Sequence, residues 1–557
     1  SMVQKMTGKQ AVLEMLKAEG VRHIFGNPGT SEGPIMDMLG DYPELEYHLT
    51  LQESVAVGMG ESYARSIETA ACVMLHVDSG LANGICLMLD ALNTGTPMVV
   101  MSANYDARKV NETMTDLAEL ARPVTKWSVE LDLADSIPSV LRRAFHEANS
   151  HPRGPVYVGF SANALEGEAE MNIVPSSKMH DETRPSAKGI EEAVALIAAA
   201  KNPIMMVGDR VSEDHANDAA VELAELVGFP VYQSRGAEVA FPTMHPQFFG
   251  THTLRTPAGR ELLEDKDLVL CIGMDAIDEL FYWGDVILGE NTKLIHIDPI
   301  PGRAGRSEPT DVGIVSHCRM GIEELIEGLK PLITPELAND IDGRKIGVSA
   351  AAADKRKAFD ESVKEDWDSK PMSAARMMYE LAAAMPENAI VVDDSISNRA
   401  TMRHYFQGKK RGDIRAFRGQ AIGGGIGATM GAAVANPDRP VVGIIGDGSA
   451  MMTVQGLWTA ANDNIPCVFV ICNNGMYRIL KVNFDLYQRD ILQMKETAGE
   501  NLPYSDFPTP FHISSIAGGM GVAGERITDP AEIAPALQRA IASGKPAVLD
   551  IVIDGSI

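Results

Sequence analysis

A chain of 557 residues is too long for one domain and suggests three or four. Hydrophobic residues at 45% and charged residues at 22% describe a globular protein, not a disordered or fibrous one. No apolar stretch is long enough to span a bilayer, and a net charge of −27 disfavours nucleic acid and anionic membrane as partners.

The first residues, Met2-Val3-Gln4-Lys5, lack a signal-peptide core. Helical spacing follows from Gly8 to Glu19, then a short strand at His23-Ile24-Phe25-Gly26. Apolar runs at Ala71–His76, Pro97–Met101 and Gly154–Gly159 read as further strands. Residues 166–188 are polar and contain proline, which suggests a linker. Pro203–Gly208, Leu268–Ile272 and Lys293–Ile297 read as strands of a second α/β unit. Residues 336–372 carry many charges and suit a connecting helix or linker. The expected division is 1–188, 189–335, a linker over 336–372, and 373–557. Strands alternating with helices in all three parts predict three doubly wound α/β domains with parallel sheets. The six cysteines are scattered, with no CxxC pairing, and Cys72, Cys86, Cys271, Cys467 and Cys472 lie in apolar segments. That pattern suggests reduced, buried thiols in a cytosolic protein.

The last part holds the most informative pattern. Gly446-Asp447-Gly448-Ser449 follows the apolar run Pro440–Ile445, and Asn473-Asn474 follows the run Ile465–Cys472. Such runs read as strands buried on both faces, with a helix between them over 453–462. Asp447 and Asn474, 27 residues apart, then leave the C-terminal ends of parallel strands, where open α/β sheets bind ligands. Their oxygens suit Mg2+, and a helix starting just after Gly448 suits a phosphate.

This GDG…NN pattern resembles the thiamine diphosphate (ThDP) motif. The N-terminal part adds Phe25-Gly26-Asn27-Pro28-Gly29-Thr30-Ser31-Glu32, Leu51-Gln52-Glu53, and Leu75-His76 with Gly80 and Asn83. Together these resemble the pyruvate decarboxylase and acetolactate synthase superfamily, and benzoylformate decarboxylases most. The likeness spans essentially the whole chain, in the order pyrimidine-binding, middle and diphosphate-binding domain.

The resemblance implies roles for single residues. Asp447 and Asn474 would ligate Mg2+ by side chain and Met476 by its carbonyl, with Gly446, Gly448 and Ser449 at the diphosphate. Ser395 and Ser397 match a second diphosphate loop in which Ile396 replaces a threonine. Ile422 matches the apolar residue that keeps the cofactor bent; core packing beside the glycine-rich run is its plainer reading. Glu53 matches the glutamate on the pyrimidine ring, where a carboxyl kept in an apolar setting can pass a proton. Its plainer reading is a helix-start carboxylate favoured by the macrodipole. His76 matches a pocket histidine able to move protons near neutral pH. Thr30 falls where a serine contacts the substrate carboxylate, or serves as a simple loop or capping residue.

The chain also departs from the pattern. It lacks the adjacent His-His pair of pyruvate decarboxylases, and 278–283 has no second pocket histidine. Arg478, Lys481 and Asn483 after the NN motif hint at a more polar or anionic substrate, or belong to a solvated helix. The resemblance implies a ThDP- and Mg2+-dependent, non-oxidative decarboxylase that turns a 2-oxoacid into an aldehyde. The alternatives are a carboligase or lyase of 2-hydroxy-acyl compounds or 2-hydroxyketones, an acetolactate-synthase-like enzyme with FAD in the middle domain, and a catalytically silent subunit. It also implies self-association as a dimer or tetramer, with active sites between subunits.

Overall fold

The apolar runs that the sequence shows are strands buried on both faces, and they assemble into parallel sheets. The computed structural model describes residues 2–109, 114–254, 256–275, 282 and 284–557. Two compact units emerge: Ser1–Lys178 with Asp368–Arg399 and Phe417–Ile557, and Met179–Trp367 with Ala400–Ala416.

In the first unit, β1 (Gln4–Thr7) leads into α1 (Gly8–Ala18). There follow β2 (His23–Gly26), β3 (Glu46–Leu49), α2 (Glu53–Ile67), β4 (Ala71–Met74), α3 (Ser79–Thr94), β5 (Met98–Asn104), β6 (Trp127–Leu131), β7 (Pro155–Ser161) and β8 (Glu168–Met171). Six of these strands form a parallel sheet in the order β3-β2-β4-β5-β7-β6. Every residue of β4, β5 and β7 is buried, as helix-covered parallel strands require. β4 ends at Met74, two residues before His76, which frees that side chain from the ladder. The polar stretch after 166 is not all linker, because β8 pairs antiparallel with β1.

The second unit contains β9 (Pro203–Val207), β10 (Val231–Gln233), β11 (Phe248–Thr251), β12 (Leu268–Ile272), β13 (Lys293–Asp298) and β14 (Val312–Val315). They are parallel, in the order β11-β10-β9-β12-β13-β14. The charged stretch that follows is a helix, α4 (Pro335–Ser362), capped by the Thr334 hydroxyl and opened by a proline whose missing N–H costs nothing there. Only Ile341 and Ala352 are buried on it, so it stays polar almost all round.

The third sheet returns to the first unit. Five of its six strands, β15 (Ile390–Asp394), β16 (Val441–Gly446), β17 (Val468–Asn473), β18 (Ala523–Ile527) and β19 (Ala547–Val552), run parallel in the order β15-β16-β17-β19-β18. Its helices include α5 (Gly424–Ala435), α6 (Asp447–Met452), α7 (Gly456–Asn462) and α8 (Arg478–Leu486). The helix expected over 453–462 is shorter, and a separate turn of helix begins at Asp447 itself. The architecture is three doubly wound α/β layers.

α2 and α5 pack backbone to backbone. A Cβ on Gly427 would lie 2.8 Å from the Val55 carbonyl oxygen, and one on Gly431 would lie 2.2 Å from that of Met59. Glycine is what lets these helices touch, and their contact joins the cores of the first and third sheets.

Candidate functional site

The strand ends of the third sheet gather the predicted metal ligands. β16 and β17 are neighbours in register, with Gly446 opposite Cys472, so Asp447 and Asn474 emerge side by side. Asp447 is buried and accepts hydrogen bonds from the Gly448 N–H at 2.8 Å and the Gly475 N–H at 2.7 Å. Gly475 has φ of 71°, a conformation that favours glycine and turns its N–H toward the carboxylate. Burial pushes the Asp447 pKa up to about 6, against the pull of those backbone donors. Asn474 Oδ1 accepts from the Met476 N–H at 3.3 Å, so Asn474 and Met476 share one turn, which the Gly475 N–H ties to Asp447.

Beside them, Ser449 donates its hydroxyl to Asp394 at 2.5 Å and accepts from the Gly423 N–H at 2.7 Å. Asp394 is buried, which raises its pKa to about 7. Ser395 donates to Asp393 Oδ1 at 2.7 Å. The Ser397 carbonyl accepts from Arg478 at 3.4 Å. Between these serines Ile396 has φ of 55°, a left-handed conformation that costs a β-branched residue about 1–3 kcal/mol. That strain marks the loop as one whose shape is enforced by its surroundings. Ile422 stands half-buried immediately before Gly423 and α5, outside the packed core clusters.

The first sheet contributes the predicted acid–base groups. Glu53 opens α2, where Gln52 caps the helix by accepting from the Ser54 N–H at 2.6 Å. The Glu53 side chain is buried, and its Oε2 accepts from Asn83 Nδ2 at 2.9 Å. His76 lies under the loop that follows β2. Its Nδ1 is 3.0 Å from the Ser31 hydroxyl and 3.1 Å from Glu32 Oε2. Gly29 permits this approach, since a Cβ there would sit 1.9 Å from His76 Nδ1. Thr30 itself is exposed, opens a 3₁₀ turn, and does not cap it, because Gly29 takes that position.

Ser31 and Glu32 are site residues that the sequence reading passed over. Glu32 is fully buried, and burial raises its pKa even though Ser31 and His76 both favour its charged form. The only sequence signal was its place in the quoted Asn27–Glu32 loop.

Of the polar residues after the NN motif, Lys481 is buried and pairs with Asp506 at 2.8 Å, while half-buried Arg478 also donates to the Ser556 carbonyl at 3.1 Å, so both cations have partners within this unit. Asp278–Phe281 and Trp283 lie outside the described residues. The second unit has a pocket, apolar at Leu254, Val269 and Leu294, with His296, Arg303 and Glu308 as polar groups.

Comparisons with known proteins agree with this layout. Sequence models of the thiamine pyrophosphate enzymes match in three parts. The N-terminal TPP binding domain matches residues 6–122, the central domain 190–325 and the C-terminal TPP binding domain 397–551. A benzoylformate decarboxylase of Pseudomonas aeruginosa is 28% identical, covering 98% of this chain and 98% of its own. A probable acetolactate synthase large subunit of Methanococcus aeolicus is also 28% identical, covering 99% and 92%. The solved Rhodococcus jostii RHA1 thiamine diphosphate-dependent 4-hydroxybenzoylformate decarboxylase superposes with a TM-score of 0.83 at 26% identity, covering 99% of each chain.

Proposed function

The chain belongs to the thiamine pyrophosphate-dependent enzymes, and from that premise we propose that it is a Mg2+-dependent, non-oxidative decarboxylase of a 2-oxoacid that releases an aldehyde. The residues present fit the cofactor and its metal. A buried carboxylate with a pKa of about 6 wants a cation, and Asp447 has two more oxygen donors beside it in Asn474 and the Met476 carbonyl. Ser449, Ser395 and Ser397 would hold the diphosphate, Ile422 would support the bent cofactor, and Glu53 would hold the pyrimidine. When bound, ThDP supplies a nucleophilic carbon and takes up the electron pair that departing CO2 leaves behind.

The chain's own residues move the protons. Glu53 is buried and steered by Asn83, so it can hold a proton at Oε1 out of contact with bulk water. Ser31 and Glu32 occupy His76 Nδ1, so proton transfer to the product falls to Nε2. The hydroxyl of Thr30, at the start of the same short turn, would bind the substrate carboxylate. The His76–Ser31–Glu32 group is the observation that carries the decarboxylase reading, because releasing an aldehyde requires a proton donor at the substrate. Capture of the same species by a second carbonyl would give a 2-hydroxyketone, which the likeness to acetolactate synthases keeps as the runner-up.

We further propose a dimer or tetramer in which the pyrimidine part of one chain faces the diphosphate part of its partner. The described cysteines are all free, which supports a reducing, cytoplasmic setting. The test is a panel of 2-oxoacids, with and without added aldehydes, and product identification. One CO2 per aldehyde supports the proposal. A 2-hydroxyketone as the sole product transfers the assignment to carboligation, and no turnover of any 2-oxoacid overturns it.

A further inference from the structure

Away from the cofactor residues, the N-terminal ends of β2 and β3 bring two histidines and a glutamate together. The strands pair in parallel with His23 opposite Glu46 and Phe25 opposite His48. Glu46 and His48 are two residues apart and so project from the same face of β3, toward His23 on β2. Their ligand atoms all lie within 4.8 Å of one another. His23 Nδ1 is 2.9 Å from His48 Nε2 and 3.6 Å from Glu46 Oε2.

A second observation concerns His48 alone. Its other nitrogen, Nδ1, lies 2.8 Å from Asp463 Oδ2 at the end of α7. A carboxylate there keeps the ring proton on Nδ1 and leaves the Nε2 lone pair aimed at His23. Carboxylate, imidazole and lone pair in line are how proteins orient a metal-binding histidine. The setting is otherwise apolar on one side and wet on the other. Phe25 stacks on His48 with ring centroids 5.2 Å apart, and the edge of Tyr63 meets His23 at 5.2 Å. Glu46 is exposed on an edge strand, which leaves a path for an ion to enter.

The geometry points to a transition-metal site, of the class that binds Zn2+, formed by His23 Nδ1, His48 Nε2 and Glu46, with Asp463 positioning His48. Two imidazoles and one carboxylate suit Zn2+ and leave a fourth position for water. Tetrahedral bonds of 2.0–2.1 Å place ligand atoms about 3.3 Å apart. Two separations, 2.9 and 3.6 Å, bracket that value and the third is no more than 4.8 Å, so the rings need to open by a few tenths of an ångström and the exposed Glu46 side chain closes the site. The proton now shared between the rings moves to His23 Nε2, and both ligands stay neutral. A bound ion would fasten the sheet carrying the Asn27–Glu32 loop to α7, beside the bond from the Thr459 hydroxyl to the Leu49 carbonyl at 2.8 Å.

The experiment uses full-length protein saturated with ThDP and Mg2+, so that the Asp447 site is filled, in a Cys86→Ser background that removes the exposed thiol. After Zn2+ loading and desalting, metal analysis should find one zinc per chain. Zn2+ should raise the melting temperature, and Co2+ should give a visible absorption band in its place. His23→Gln should abolish both signals. Glu46→Gln changes only an exposed side chain, leaves the fold intact, and should weaken binding at least about tenfold, while Asp463→Asn should weaken it about 10–100-fold. No retained zinc in the parent protein, or a zinc content equal to the parent's in both His23→Gln and Glu46→Gln, overturns the proposal and leaves an ordinary hydrogen-bonded histidine pair.

Discussion

Asp447 is buried as though neutral yet is the metal ligand proposed above, and these two demands have opposite pH dependence. Its pKa rises from 3.8 to about 6 on folding without metal. A carboxyl whose pKa is raised contributes stability that is fully present below 3.8 and is lost as pH rises through about 6. Metal binding needs the ionised form and so runs the other way. The rise in melting temperature caused by Mg2+ and ThDP should therefore be large above about pH 6 and shrink below it, with affinity falling about tenfold per pH unit. A stabilisation that does not change across that range would remove Asp447 as the ligand. Glu53 makes a separate prediction. Glu53→Gln should retain ThDP, because an amide still fits beside Asn83, yet slow deuterium exchange at the cofactor's C2 position by at least about tenfold. General acid–base groups contribute about 10²–10⁴-fold, so equal rates at equal occupancy would return Glu53 to a helix-start carboxylate. As candidates, Asp447, Asn474, Glu53 and His76 stood out in the sequence because each follows an apolar run or a recognisable loop. Glu32 was not, since its importance lies in complete burial against His76, and a Thr-Ser-Glu stretch reads as solvent-facing.

At the scale of elements, the central strands were legible and the edges were not. β4, β5, β9, β12, β16 and β17 are buried along nearly all their length, and their uninterrupted apolar runs announce them. β3 and β18 lie at sheet edges and are partly or mostly exposed, so Glu-Tyr-His-Leu and Ala-Gly-Glu-Arg-Ile carry no such signal. The break between α6 and α7 was also invisible, because the residues on either side of Thr453 suit one continuous helix. The glycine-rich run of α5 has a plain physical use in its contact with α2. Gly431→Ala places a Cβ against the Met59 carbonyl, which only backbone movement can relieve. It should destabilise the protein by about 1–3 kcal/mol, read as a lower denaturation midpoint at unchanged m-value. A midpoint equal to that of the parent would show that the helices have slack.

Across the whole molecule, sequence suggested three domains, and the described residues form three six-stranded sheets in two compact units, besides the small β1–β8 pair, with the first and third of the large sheets sharing one unit. That sharing was hidden because it depends on α2 meeting α5, from segments more than 350 residues apart. It also sharpens the question of where the site is completed. If Glu53 serves the partner's cofactor, mixing Glu53→Gln and Asp447→Ala subunits restores one wild-type site per hybrid dimer, and activity returns. If each chain serves itself, every site keeps one lesion and the mixture stays inactive, which would overturn the arrangement between subunits. The claim on which all else rests is that ThDP is anchored at Asp447. The measurement is ThDP content per chain after dialysis against Mg2+ buffer, for wild type and for Asp447→Ala whose circular dichroism shows an intact fold. The account predicts one ThDP per chain in the wild type and essentially none in the variant; equal ThDP content in the two would contradict it.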